Sequence, residues 1–334
     1  MNSVAGLRWG TRWFAYVCFA FALSCPALAG AQSIQSPAFV FASVKQGGEL
    51  LTGRDDFVLR LSPFDRAARM KTDQEVSEKD YLRFVATNVL EWEADEKALA
   101  QSVLAEIQPK LAEFSLRFPE IIYLVKTTGA EEGGTEYTRT NAIILPQSAL
   151  KLSKRDSLRT AIVHEMFHIF SRKNPQLKDK LYAVIGFQPC GEIEFPPALA
   201  STRLTNPDAP KNDYCIHLKI NDESVWAVPI LYSRVAHYDV ARGGTFFQYL
   251  RFEFLIVDRK GATVSAKATY KSSNPRLVPV GQVSGFYEQV GRNTKYIIHP
   301  EEILADNFTL LVLGKKDVPS PEILQRLAVA LGQK

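Results

Sequence analysis

The sequence predicts a mixed α+β fold, and three observations carry that prediction. Short apolar runs bounded by turn formers read as strands, clearest at Ile121–Lys126, Tyr137–Leu145, Ile216–Ile220, Ser224–Tyr232 and Phe246–Val257. Longer segments repeat apolar residues at helical spacing. The two kinds are unevenly distributed: residues 213–280 read as mostly strand, and the chain turns helical again afterwards.

Taken in order, Phe39–Leu61 reads as short strands with a turn at Gly47-Gly48. A helix begins near Ser77, where Ser77 and Asp80 resemble a capping box, and carries Tyr81, Phe84, Val85 and Val89. A second helix, about Ala94–Phe114, places Leu99, Val103, Ile107 and Leu111 on one stripe, with Pro109 expected to kink or shorten it. The strands Ile121–Lys126 and Tyr137–Leu145, joined through Gly129, Gly133 and Gly134, suggest a hairpin. A helix over about Asp156–Lys173 ends at Asn174-Pro175, because a residue before proline disfavours helix. A shorter helix reaches Ile185, and prolines 189, 196, 197, 207 and 210 then mark an irregular stretch. Near the end, Pro300 suits the first position of a helix, with His299 at its start, and Ser320-Pro321-Glu322 starts another.

The 334 residues are 46% hydrophobic, ample for a packed core. The first 31 read as a signal peptide: Arg8 and Arg12, the apolar stretch Trp13–Leu23, then Ala27-Leu28-Ala29 or Ala29-Gly30-Ala31 for cleavage. The apolar stretch is short for a membrane span, so the mature chain is expected in the periplasm or secreted, with no stable span. The formal charge of +4 falls by two with Arg8 and Arg12, which argues against a nucleic-acid partner. Cys18 and Cys25 belong to the leader; Cys190 and Cys215 remain, and in an exported chain a disulfide is expected. The rest of the chain divides into three parts: 32–185 with both element types, a β-rich insert at 186–290, and a helical part at 291–334.

The run His164-Glu165-Met166-Phe167-His168 carries the chemistry. Four residues turn a helix by about 400°, so His164 and His168 project from one face and can bind one Zn²⁺. Glu165 then reaches the side where water would sit and can act as its general base. Catalytic zinc takes three protein ligands. A third histidine would be needed at position 174, but Asn174 stands there, and Asp179 lacks a suitable setting. Glu302 and Asp306 are four apart on the helix begun by Pro300: Glu302 as third ligand, Asp306 as the acceptor that fixes a histidine tautomer. Glu301 and Glu302 could instead serve the helix N-terminus, and Glu192 is the runner-up ligand.

His-Glu-x-x-His followed on a later helix by Glu-x-x-x-Asp resembles the gluzincin-type zinc metallopeptidases. The resemblance covers about residues 120–175 and 290–315, and about 130 residues separate His168 from Glu302, more than in better-known relatives. It implies a zincin-like catalytic part that hydrolyses peptide or protein substrates by zinc-activated water. It also implies an edge strand, Asn141-Ala142, that pairs with substrate backbone, and a Tyr or His at the oxyanion. Tyr296 stands six residues before Glu302; His217, His237 and Tyr238 are the other candidates. Two other readings are a zinc amidase acting on cell-wall crosslinks and a non-catalytic binding protein on a peptidase scaffold.

Overall fold

Ser43 sets the course of the chain after the first strand, β1 (Ala38–Phe41). Its hydroxyl accepts the Gln46 N–H at 3.3 Å, and the Gln46 side chain accepts the Ser43 N–H at 3.1 Å. This reciprocal cap starts helix α1 (Val44–Thr52) where short strands were expected. Gly47 and Gly48 lie inside that helix, and neither has a positive φ. A Cβ on Gly47 would meet Val89 and Val125 at 2.8 and 2.9 Å, so this glycine lets the helix close on a sheet rather than forming a turn. The computed structural model describes residues 37–259, 268–270 and 275–333; the signal peptide read at 1–31 lies outside them.

Next come α2 (Pro63–Arg69), α3 (Glu78–Thr87), β2 (Val89–Leu90) and α4 (Ala94–Leu111). α3 starts behind Ser77 as expected, and α4 ends soon after Pro109, short of Phe114. β3 (Ile121–Thr127), β4 (Tyr137–Arg139) and β5 (Ala142–Pro146) join β1 and β2 in a sheet ordered β1-β3-β5-β4, with β2 beside β3. The expected hairpin is not between β3 and β5, which run parallel. The run Tyr137–Leu145 breaks instead at Thr140, φ 49°, so the hairpin is the tight β4–β5 pair. β4 becomes the sheet edge.

α5 (Arg155–Lys173) and α6 (Pro175–Val184) come after this sheet, separated by Asn174-Pro175. Then β6 (Phe187–Pro189), β7 (Tyr214–Ile220), β8 (Glu223–Ser233), β9 (Leu250–Arg259), β10 (Ala268–Thr269) and β11 (Leu277–Val278) build an antiparallel sheet. Cys215 lies in β7 and Cys190 just after β6, buried in one cluster as free thiols; the structure brings the expected partners together without a bond. α7 (Phe286–Val290), α8 (Pro300–Val312) and α9 (Pro321–Ala330) close the chain.

The fold is therefore α+β. One hydrophobic cluster draws on all the stretches read from the sequence: Leu124 and Ile143 of the first sheet, Ile216 and Phe254 of the second, and Ile303 and Phe308 of α8. α5 lies at its centre, buried from Ile162 to Ser171 except at His164. Phe167 and Phe308, both fully buried, hold α8 against α5 with ring centroids 5.4 Å apart. Truncating either ring would cost about 3–5 kcal/mol, which fixes the register of the two helices. A second buried anchor is Arg69, which donates to Glu132 at 2.6 and 2.8 Å, to Asp65 at 2.6 Å and to the Thr205 carbonyl at 3.1 Å. No described helix is long and apolar enough to cross a membrane.

Candidate metal centre

α5 places His164 and His168 one turn apart, with ring centroids 4.8 Å from each other. α8 begins at His299, whose Nδ1 accepts the Glu301 N–H at 3.1 Å, as expected of a helix-initiating residue. That start aims Glu302 at both rings: its Oε2 lies 3.1 Å from His164 Nε2 and 3.6 Å from His168 Nε2. Ligand atoms of His164, His168 and Glu302 all lie within 4.8 Å of one another, so the three could hold a metal ion.

Each imidazole is fixed from behind. His164 Nδ1 donates to Asp306 Oδ1 at 2.9 Å, and the other Asp306 oxygen accepts the Thr294 hydroxyl. His168 Nδ1 donates to Glu301 Oε1 at 3.3 Å. The Glu301 Oε2 accepts Ser171 Oγ at 3.0 Å and the Tyr182 hydroxyl. Since carboxylates only accept, both Nδ1 atoms carry hydrogen and both Nε2 atoms face the common point. Glu302 Oε1 accepts Asn206 Nδ2 at 2.6 Å.

The donor set fits a cation. His168 Nε2 and Glu165 Oε2 are buried without a hydrogen-bond partner, and such orphaned acceptors at one point suit a cation with a polar group beside it. The proton balance agrees. Burial alone would lower His164, but Asp306 and Glu302 raise it to about 10. Burial likewise opposes the shift of His168, yet Asp208, Glu302 and Glu301 hold it well above 6.5. Burial would raise Glu302, but His168 and His164 keep it well below 4.5. Without a cation, protons on the imidazoles balance the carboxylates.

Glu165 is buried beside this point, raised to about 8 by burial and by the Asp208 charge. A cavity of about 580 Å³ opens in front of it. Its floor is the α5 face from Asp156 to Glu165; Tyr137 at the edge strand, Phe246 and Leu250 from the β-rich insert, and Tyr296 form its walls. Tyr296 is 39% exposed at the rim, but burial of its phenol and the charges of Glu302, Asp208 and Glu165 raise it well above 10.

Several expectations need correction. Asn141 and Ala142 do not line the cavity: Asn141 donates to the Ile121 carbonyl at 2.9 Å, and Ala142 is fully buried in β5, paired on both sides. The free edge is β4, because the break at Thr140 turned that strand outward. Glu192 pairs with Arg60 at 2.6 Å, away from the histidines. Tyr238 donates to the Gly244 carbonyl at 2.9 Å and His217 packs on Trp226; neither they nor His237 line the cavity. Sequence reasoning missed Asn206 and Asp208, which lie in an aperiodic proline-rich stretch. From the sequence Glu301 reads only as a helix-terminus charge; its neighbour Glu302, on the same helix turn, is the available signal. Comparison with family models, curated proteins and solved structures returns no match.

Proposed function

We propose that the chain is an exported zinc-dependent metallopeptidase of zincin-like type, periplasmic or secreted, that hydrolyses peptide bonds of peptide or protein substrates. One observation carries the reading: His164, His168 and Glu302 converge while Asp306 and Glu301 each anchor one histidine from behind. A helix-capping role for the acids would not require both far nitrogens to be engaged.

The chemistry that a bound zinc supplies is polarisation of the scissile carbonyl and acidification of water to a pKa of about 7. The remaining steps belong to the chain. Glu165, with Oε2 free of protein donors, takes the proton from water and returns it to the leaving amine. The Tyr296 phenol, kept protonated, donates to the carbonyl oxygen as charge develops there.

The test is the zinc content of the mature protein beside Glu302→Ala, followed by peptide-library cleavage. One zinc in the wild type, lost in the variant, with cleavage by the wild type only, is expected. Zinc absent from folded wild type refutes the metal centre. Zinc present with peptidoglycan but not peptides cleaved would shift the reading to an amidase; no turnover of either would make it a binding protein.

A further inference from the structure

Glu302 is 1% exposed, and its two oxygens face different partners. Oε2 lies 3.1 Å from His164 Nε2 and 3.6 Å from His168 Nε2. Oε1 accepts Asn206 Nδ2 at 2.6 Å, and among the described residues only Asn206 bonds it. The other end of the amide settles its orientation: Asn206 Oδ1 accepts the Asp208 N–H at 3.0 Å. Turning the amide over would set Oδ1 against a carboxylate oxygen and Nδ2 against an N–H, two repulsive contacts in place of two bonds.

The backbone that carries Asn206 is held on both sides. Before it, the Thr205 N–H donates to Asp65 at 3.1 Å and the Thr205 carbonyl accepts Arg69 at 3.1 Å. Asp65 and Arg69 are themselves a fully buried ion pair. After it, Arg172 donates to the Asp208 carbonyl at 3.3 Å, Arg203 donates to the Pro210 carbonyl at 2.6 Å, and His299 bonds the Lys211 backbone. A side chain hung between such anchors meets Glu302 at a fixed place. The Arg69 network, remote in sequence from α5 and α8, thus reaches the third candidate ligand through Thr205 and Asn206.

A buried carboxylate with both oxygens unclaimed can turn both to a cation, and each oxygen that binds fills a coordination position. We propose that Asn206 is a positioning residue: it reserves Glu302 Oε1, so that this carboxylate offers the ion a single oxygen. Two histidine nitrogens and one oxygen make a three-ligand set, the kind that keeps a further position open for water. The β-rich insert, which supplies Asn206, thereby governs the ligands of a centre built on α5 and α8. This rests on the metal-centre reading.

The experiment loads the mature full-length chain with Co²⁺ and compares wild type, Asn206→Ala and Asn206→Ser by visible absorption and by competition against a chelator. Serine can still accept the Asp208 N–H, as hydroxyls do in turns, but is too short to reach Glu302. Both variants should bind Co²⁺ about 10–100-fold more weakly, the usual cost of losing a ligand's supporting partner. Both should also absorb less in the visible, because a second carboxylate oxygen raises the coordination number. A change confined to Asn206→Ala, or weaker binding with the wild-type spectrum, would place the effect in the turn and overturn the positioning role. Wild-type spectrum and affinity in both variants would overturn it and leave the metal centre standing. No Co²⁺ bound by folded wild type would overturn it together with the metal centre.

Discussion

Glu301→Gln separates a metal-site carboxylate from a helix-terminus charge. Glu301 is 1% exposed and serves two sides: Oε1 accepts from His168, and Oε2 accepts from Ser171 and Tyr182, with Lys178 Nζ at 3.8 Å. A glutamine can satisfy only one side. If its carbonyl stays with the three donors at Oε2, its amide faces His168 Nδ1 and that nitrogen must become an acceptor. The ring hydrogen then moves to Nε2, the metal-facing atom. If the amide is turned the other way, Ser171 and Tyr182 must reorient and Lys178 faces a donor. Losing such a supporting group costs about 10–100-fold in metal affinity, or about 1.4–2.8 kcal/mol. Zinc competition against a chelator at fixed pH measures this, and thermal unfolding of the metal-free protein runs beside it. A charge serving only the helix N-terminus would cost about 0.3–1 kcal/mol of stability and leave zinc affinity alone. Unchanged zinc affinity in a folded Glu301→Gln protein refutes the reasoning.

Glu165→Gln should keep its zinc and lose peptide hydrolysis by about 10²–10⁴-fold, the usual contribution of a general base; retained turnover would remove Glu165 from the mechanism. Metal uptake should strengthen with pH. His164 is raised to about 10 in the metal-free protein and must be deprotonated to bind, so below that pH affinity should climb about tenfold per unit for each proton released. A flat zinc-affinity profile between pH 6 and 8 would contradict the proton balance. Arg69→Ala should destabilise the fold by about 3–5 kcal/mol, because it leaves the Asp65 and Glu132 carboxylates buried without their cation. Denaturant titration reads that loss, and a change below about 1 kcal/mol would mean that the network is dispensable.

The residues of the candidate metal centre were legible because helical geometry converts spacing into direction. His164, His168, Glu302 and Asp306 each needed only a helix and an interval of four. Ser77, Pro175 and Pro300 marked their helices for equally local reasons. The misreadings share a different cause. Gly47-Gly48 looks like a turn until one knows that Val89 and Val125 press on the helix there. Whether Tyr137–Leu145 continues or folds back depends on one residue, Thr140, whose left-handed backbone no preference of threonine announces. Asp208 has no periodic neighbours at all, and its proximity to Glu165 comes from where a non-repetitive segment is anchored. Tertiary position decided these cases, and local pattern does not encode it.

The packing of α8 on α5 has a consequence for the order of events during synthesis. The histidines are made first, and Glu302 is added more than a hundred residues later, on a helix that must then find α5. A chain still emerging therefore carries an imidazole pair without its third ligand or either of the carboxylates that set the tautomers. Complete coordination becomes possible only after residue 306 is free to fold. For a hydrolase of the kind proposed, this ordering ties competence to the docking of α8 on α5.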